Sequence, residues 1–261
     1  MTDDKRRVRL GGTARSLEQV ELLHRMGLQF AEITITNPST FSRVVYEYKN
    51  MKEKLGISYV CHGPREGDPN DLRQLENVYL PKVLGILPLI TELDTPHLTL
   101  HFWLDTRFVK KESIAFKIDL LGRIIREATD RGILICLENL SETASHLSAA
   151  FDVLPSLYLT LDLGHAQLLT EVNRSYVIIE RYPERVRHVH LHDNRGGYSA
   201  QDDSHLPPGE GIIDFEKIFG KLSEMDYDRT ISLELKPHEI ERCLGDVRAL
   251  LSRSGLCPIV A

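Results

Sequence analysis

The chain has no apolar run near the roughly 20 residues needed to cross a bilayer, which excludes a membrane-spanning helix. Its N-terminal MTDDKRRVRL lacks the apolar stretch of a secretory signal, and the expectation is a cytoplasmic protein. Four cysteines, Cys61, Cys136, Cys243 and Cys257, are scattered with no CxxC pair. They read as reduced packing residues rather than as a disulfide frame or a zinc ribbon. There is no basic excess: 32 Lys plus Arg against 38 Asp plus Glu leave a net charge of −6. Phosphate neutralisation supplies most duplex affinity, so the balance argues against nucleic acid, although bound cations would offset acidic charge locally. No Pro/Gly/Ser-rich linker divides the chain. No GxGxxG turn follows the first apolar run, which removes the main signal of a dinucleotide fold.

What is present is a regular alternation. The 261 residues are 42% apolar and 27% charged, enough for a sizeable buried core. Short runs rich in β-branched and aromatic residues alternate with amphipathic stretches from end to end. The strand candidates are VRLGGT (8–13), FAEITIT (30–36), ISYVCHG (57–63), HLTLHF (97–102), ILICLEN (133–139), LYLTLDLGH (157–165), RHVHLHDN (187–194) and RTISLELK (229–236). Between them lie segments such as SLEQVELLHRMG, STFSRVVYEYKNMKEKLG and KESIAFKIDLLGRIIREATDRG, several closing on glycine. PHEIERCLGDVRALLSRSG supplies the last helix, and the terminal GLCPIVA packs either back on the fold or against a partner, a second copy of the chain among them. Eight βα rounds imply a parallel sheet, and eight suit a closed barrel. The expected architecture is an α/β fold, a single (β/α)8 TIM-barrel domain over residues 1–261.

In such a barrel chemistry sits at the C-terminal ends of the strands. Strand three ends at His62, strand four at His101, strand five at Glu138, strand six at Asp162 with His165 beyond, strand seven at His190 and strand eight at Glu234. The loop after strand seven adds Asp203 and His205, which share a face if that stretch is extended. His188, His190 and His192 share parity, with His188 deeper and His192 nearer the rim. Taken singly, each has an ordinary reading as a hydrogen-bonded structural residue or a solvated loop charge. Taken together, carboxylates and imidazoles gathered at one rim are unfavourable without a cation, and all are metal-ligand types.

The phrases LEN (137–139), DLGH (162–165), HLHD (190–193), DSHLPPGEGIIDF (203–215) and SLE (232–234) resemble the xylose isomerase-like TIM-barrel superfamily. That superfamily holds sugar-phosphate isomerases and epimerases together with the endonuclease IV type of apurinic endonuclease. The endonuclease resemblance implies up to three zinc ions. His62 and His101 would hold the first, with Glu138 bridging to a second completed by Asp162, His190 and Glu234. His165, Asp203 and His205 would hold the third, and Asp193 and His192 would stand behind the ligands or at the rim. The epimerase resemblance implies a narrower quartet, Glu138, Asp162, His190 and Glu234, around a single manganese, magnesium or zinc. There the ion stabilises an enediolate while Glu138 and Glu234 shuttle a proton, and His165, His192 and Arg195 bind substrate.

Departures from the endonuclease pattern are specific. The stretch after the first histidine, CHGPREGDPND, is acidic and has no aromatic residue; DTCH is here DLGH; the Asn two residues after His190 is His192; and the loop after strand two is a short NPST. The expected function is therefore a divalent-metal-dependent isomerase or epimerase of a small sugar, polyol or sugar phosphate. The alternatives are a tri-zinc phosphoester hydrolase and a barrel that binds without turnover.

Overall fold

Each of the eight apolar runs forms a strand in a computed structural model of the chain, which describes residues 6–259. Part of the N-terminal reading, residues 1–5, and the last two residues of GLCPIVA lie outside the described residues. In chain order the elements are β1 (Arg6–Ala14), α1 (Leu17–Arg25), β2 (Phe30–Thr34), α2 (Pro38–Phe41), α3 (Val45–Leu55), β3 (Ser58–His62), α4 (Leu72–Gln74), α5 (Leu80–Glu92) and β4 (His97–His101). There follow α6 (Lys111–Thr129), β5 (Leu134–Glu138), α7 (Ala144–Phe151), β6 (Leu157–Asp162), α8 (Ser175–Arg181), β7 (Val186–Leu191), α9 (Phe215–Glu224), β8 (Thr230–Leu233), α10 (Pro237–Arg253) and β9 (Leu256–Pro258). The sheet order runs from β2 through β8 to β1, and β1 also pairs β2, so eight strands close a parallel barrel. No helix of the described residues is long and apolar enough to cross a membrane.

Residues 32–160 form one compact unit, and the residues up to 31 with those from 161 onward form another. In the first, β4 and β5 run in register from His97↔Leu134 to His101↔Glu138, and β3 meets β4 with His62 opposite Thr99. Helix α6 turns Leu120, Leu121 and Ile124 into the core, each fully buried, a contribution of about 1.5–3 kcal/mol per side chain. The NPST stretch is a helix start rather than a loop. The Asn37 side chain accepts the Thr40 N–H at 3.2 Å, and Pro38 occupies the first helical position, where its missing N–H costs nothing.

In the second unit β1 is long enough to serve two neighbours. Arg9 to Gly12 pair with β8, while Arg6 to Val8 pair with β9, so residues 256–258 of GLCPIVA pack back on the fold. Strands β6, β7 and β8 stop sooner than their apolar runs predict, and at β6 a polar side chain is the cause. Asp162 Oδ1 accepts the His165 N–H at 2.6 Å and bends the chain into a 3-10 turn over His165–Gln167. His165, His192 and Glu234 therefore stand just beyond their strands.

Candidate metal centre

In the unit of residues 32–160, the β4–β5 register puts His101 beside Glu138. The Nε2 atoms of His62 and His101 lie 3.1 and 3.0 Å from the same oxygen, Oε2 of the buried Glu138, with the two rings 4.6 Å apart at 88°. His62 Nδ1 is 2.9 Å from the Gly63 carbonyl. A carbonyl only accepts, so Nδ1 carries a hydrogen and Nε2 faces the carboxylate. Either a proton or a metal cation between Nε2 and that oxygen satisfies both. Ligands each about 2.0–2.2 Å from one shared zinc stand about 3–3.5 Å from each other, which is the spacing here.

In the second unit, His190 Nδ1 is 3.6 Å from Asp162 Oδ2 and 3.4 Å from Glu234 Oε1, longer than good hydrogen bonds and close to that same ligand spacing. Burial alone would push the Asp162 carboxyl up, but the imidazoles of His165, His192 and His190 outweigh it and hold it well below the usual range. Asp203 Oδ2 lies 3.3 Å from His165 Nε2 and 3.4 Å from His205 Nε2. His205 Nδ1 is 3.1 Å from the Glu234 carbonyl, which again fixes the ring so that Nε2 turns to the carboxylate. The stretch from Asp203 to His205 is not extended: His205 has φ of 43°. That left-handed conformation costs roughly 1–2 kcal/mol for a residue with a side chain, and such strain gathers at functional sites.

His192 belongs to this group more closely than the rim position implied. It is buried, its Nε2 is 3.2 Å from Asp162 Oδ2, and its ring stacks on His205 at 3.8 Å and 12°. One ligand atom each from His165, His192, Asp203 and His205 lie within 4.8 Å of one another. His188 is deeper, as its parity predicts, with Nδ1 2.7 Å from Thr230 Oγ1. Asp193 is an anchor: its carboxylate accepts the backbone N–H groups of Asn194, Gly209, Gly211 and Ile213. Arg195 is exposed.

Sequence reasoning missed a buried ionic network in the loops of the first unit. Lys117 Nζ sits 2.5 Å from Glu66 Oε2 and 4.4 Å from the Phe102 ring centroid. Glu66 Oε1 in turn accepts the Trp103 N–H at 2.6 Å. Trp103 stacks on Phe108 at 5.0 Å, so an aromatic pair follows the second histidine where none follows the first. The one available signal was Lys117 itself, which falls on the apolar face of α6.

Residues 20–252 match the family described as xylose isomerase-like TIM barrel. The chain belongs to this family. Within it, the chain is 34% identical to an uncharacterized protein of Methanocaldococcus jannaschii over 71% of its own length and 67% of that protein's. It is 28% identical to an inosose dehydratase of Clostridium beijerinckii over 55% of the chain and 52% of the dehydratase, so it spans about half of that relative's length. Among solved folds, a D-tagatose 3-epimerase-like protein superposes with a TM-score of 0.80 at 22% identity, covering 94% of this chain and 98% of that one. An IolI protein with a bound zinc atom superposes at 0.78 and 14% identity, covering 94% and 99%.

Proposed function

We propose that this xylose isomerase-like barrel is a divalent-metal-dependent isomerase or epimerase of a small sugar, polyol or sugar phosphate. The observation that carries it is the approach of Asp162 and Glu234 to His190 Nδ1, at 3.6 and 3.4 Å. These are three members of the quartet that the resemblance implies, and Glu138, at the end of β5, is its fourth. A bound divalent ion supplies Lewis acidity, making a carbon acid beside a sugar carbonyl easier to deprotonate. In this reading Glu138 and Glu234 would be the groups that take up and return that proton. The names of the similar proteins, 3-epimerase and dehydratase, support the same opening step, since both reactions begin by removing a proton from carbon.

A second reading, a tri-zinc phosphoester hydrolase of the endonuclease IV kind, is favoured by one observation: His62 and His101 converge on Glu138, which would make Glu138 a bridge between ions. The test is deuterium wash-in from heavy water into ketoses and ketose phosphates, followed by NMR on metal-loaded protein. Exchange that Glu138→Gln abolishes while also weakening metal binding is the expected result. Full exchange in that variant at full metal loading removes the role given to Glu138. No exchange with any ketose, together with metal-dependent cleavage of an activated phosphodiester, replaces the isomerase by the hydrolase.

A further inference from the structure

The Glu66 carboxylate joins the two stretches of chain that leave His62 and His101. Glu66 stands four residues after His62, in the loop that follows β3, and Trp103 stands two residues after His101, where β4 has ended. Glu66 Oε1 accepts the Trp103 N–H at 2.6 Å, while Oε2 meets Lys117 Nζ at 2.5 Å. Lys117 comes from the apolar face of α6 and is fully buried, and Glu66 is 5% exposed. On the strand side His101 is already held by its ladder place opposite Glu138. The bond from Glu66 holds the chain on the other side.

Phe102, the residue between, is held as well. Its ring lies 4.4 Å from Lys117 Nζ and stacks on Tyr79 at 5.5 Å and 14°. Tyr79 closes a π-helical turn, Leu75–Tyr79, in which the Leu80 N–H reaches back to the Leu75 carbonyl. Such turns gather at functional sites. The Tyr79 hydroxyl donates to the His101 carbonyl at a long 3.5 Å. A buried ion pair adds little stability over an apolar pair of the same volume, but an apolar side chain at position 66 could not accept the Trp103 N–H. What the pair supplies is therefore a fixed point for the backbone next to His101. At a strand end the backbone sets where the side chain points, and a binding constellation has to be held within about 0.5 Å and 10–20°.

We infer that Glu66, its charge balanced by Lys117, is a positioning residue that sets the His62 and His101 rings at the 4.6 Å and 88° that aim both at Glu138. Glu66 stands outside the groups of possible metal ligands, so it acts on the rings through the backbone. Its use to the reaction rests on the reading of His62, His101 and Glu138 as holding a cation, whereas the aim of the rings does not.

Two double variants separate position from stability. Both carry Lys117→Met, and neither keeps a buried charge. One adds Glu66→Gln, whose amide oxygen still accepts the Trp103 N–H; the other adds Glu66→Met, which cannot. Glu66→Leu takes the place of Glu66→Met should circular dichroism show the latter unfolded. In metal-free protein the His101 ring-proton NMR signals, assigned by their loss in His101→Asn, are expected to keep their wild-type positions in the Gln double variant and to move in the Met double variant. Trp103, the one tryptophan of the chain, then reads cobalt binding by quenching of its fluorescence. The binding step missing from His101→Asn is expected to be about tenfold weaker in the Met double variant and within about twofold of the wild type in the Gln double variant. His101 signals that stay in both double variants, or move in both, overturn the inference, and so does equal cobalt affinity of the two at that step. Quenching of His101→Asn identical to that of the wild type removes the ion from these residues, and the ring signals of metal-free protein then decide the positioning on their own.

Discussion

The Gly211 N–H donates to Asp193 Oδ2 at 2.9 Å, and a Cβ on residue 211 would stand 2.2 Å from Asp193 Oδ1 and 2.1 Å from the Asn194 carbonyl. The second glycine of GEGIIDF is thus a matter of close approach, and the phrase serves to wrap backbone N–H groups around a fully buried carboxylate. Asp193 also pairs with Leu206 through both backbone groups, next to His205. Asp193→Ala is expected to cost about 3–5 kcal/mol, the range for losing one partner of a buried charged contact, read from urea unfolding. A cost below about 1 kcal/mol would mean that water replaces the carboxylate without penalty.

Lys117 and Glu66 make a complementary prediction. Burial pulls the Lys117 amine below its ordinary value and pushes the Glu66 carboxyl above its own, so each relies on the other. Lys117→Met leaves Glu66 unpaired and is expected to cost about 3–5 kcal/mol. Adding Glu66→Gln to it should recover much of that loss, since no buried charge then remains. Equal stability of the single and double variants would show that the pair is not coupled.

Much of the fold was legible because its signal is local. Runs such as LICLE and VRHVHL are apolar enough to be buried strands whatever surrounds them, and a barrel of parallel strands gathers their C-terminal residues at one end. His62, His101 and Glu138 were readable from that rule alone. What was not readable depends on contacts between distant loops. Nothing in GPREGD marks Glu66 as the partner of a lysine 51 residues later, and no local pattern shows that Gly164 makes space for His192. Alternation gives Asp203 and His205 a shared face only if that stretch is a strand, and here the two side chains meet instead with His205 in a left-handed backbone that the pattern does not encode.

Asp105 gives the protein a measurable acid sensitivity. Burial alone would raise its carboxyl, but hydrogen bonds from Arg107 and Ser141 outweigh this and leave it below the usual carboxylate range. A group depressed in the folded state adds stability above its unfolded pKa and loses it as pH falls through the folded value. Asp105→Asn is therefore expected to melt earlier than the wild type at neutral pH, and the gap between the two should narrow as pH falls below about 4 and close below the depressed folded value. Parallel curves across that range would remove Asp105 as the source.

Protons and metal compete for His205, and the direction of that competition is fixed by its surroundings. Burial alone would lower the imidazole pKa, but the Asp203 hydrogen bond and the charges of Glu234, Asp203 and Asp162 prevail and raise it to about 9. In metal-free protein a proton thus occupies the position between His205 and Asp203 below that pH. Zinc must displace it, since a ligand imidazole is neutral. Apparent zinc affinity is then expected to climb about tenfold per pH unit as pH approaches 9 from below, with proton release on binding, and to level off above it. Chelation at neutral pH should lower the melting temperature by several degrees, because an ion at about 100 times its Kd adds about 2.7 kcal/mol and each kcal/mol moves a protein of this size by about 2–4 °C. Isothermal titration calorimetry in buffers of different ionisation enthalpy reads the proton release directly. Affinity independent of pH from neutral upward would show that the proton on His205 does not stand where the ion binds.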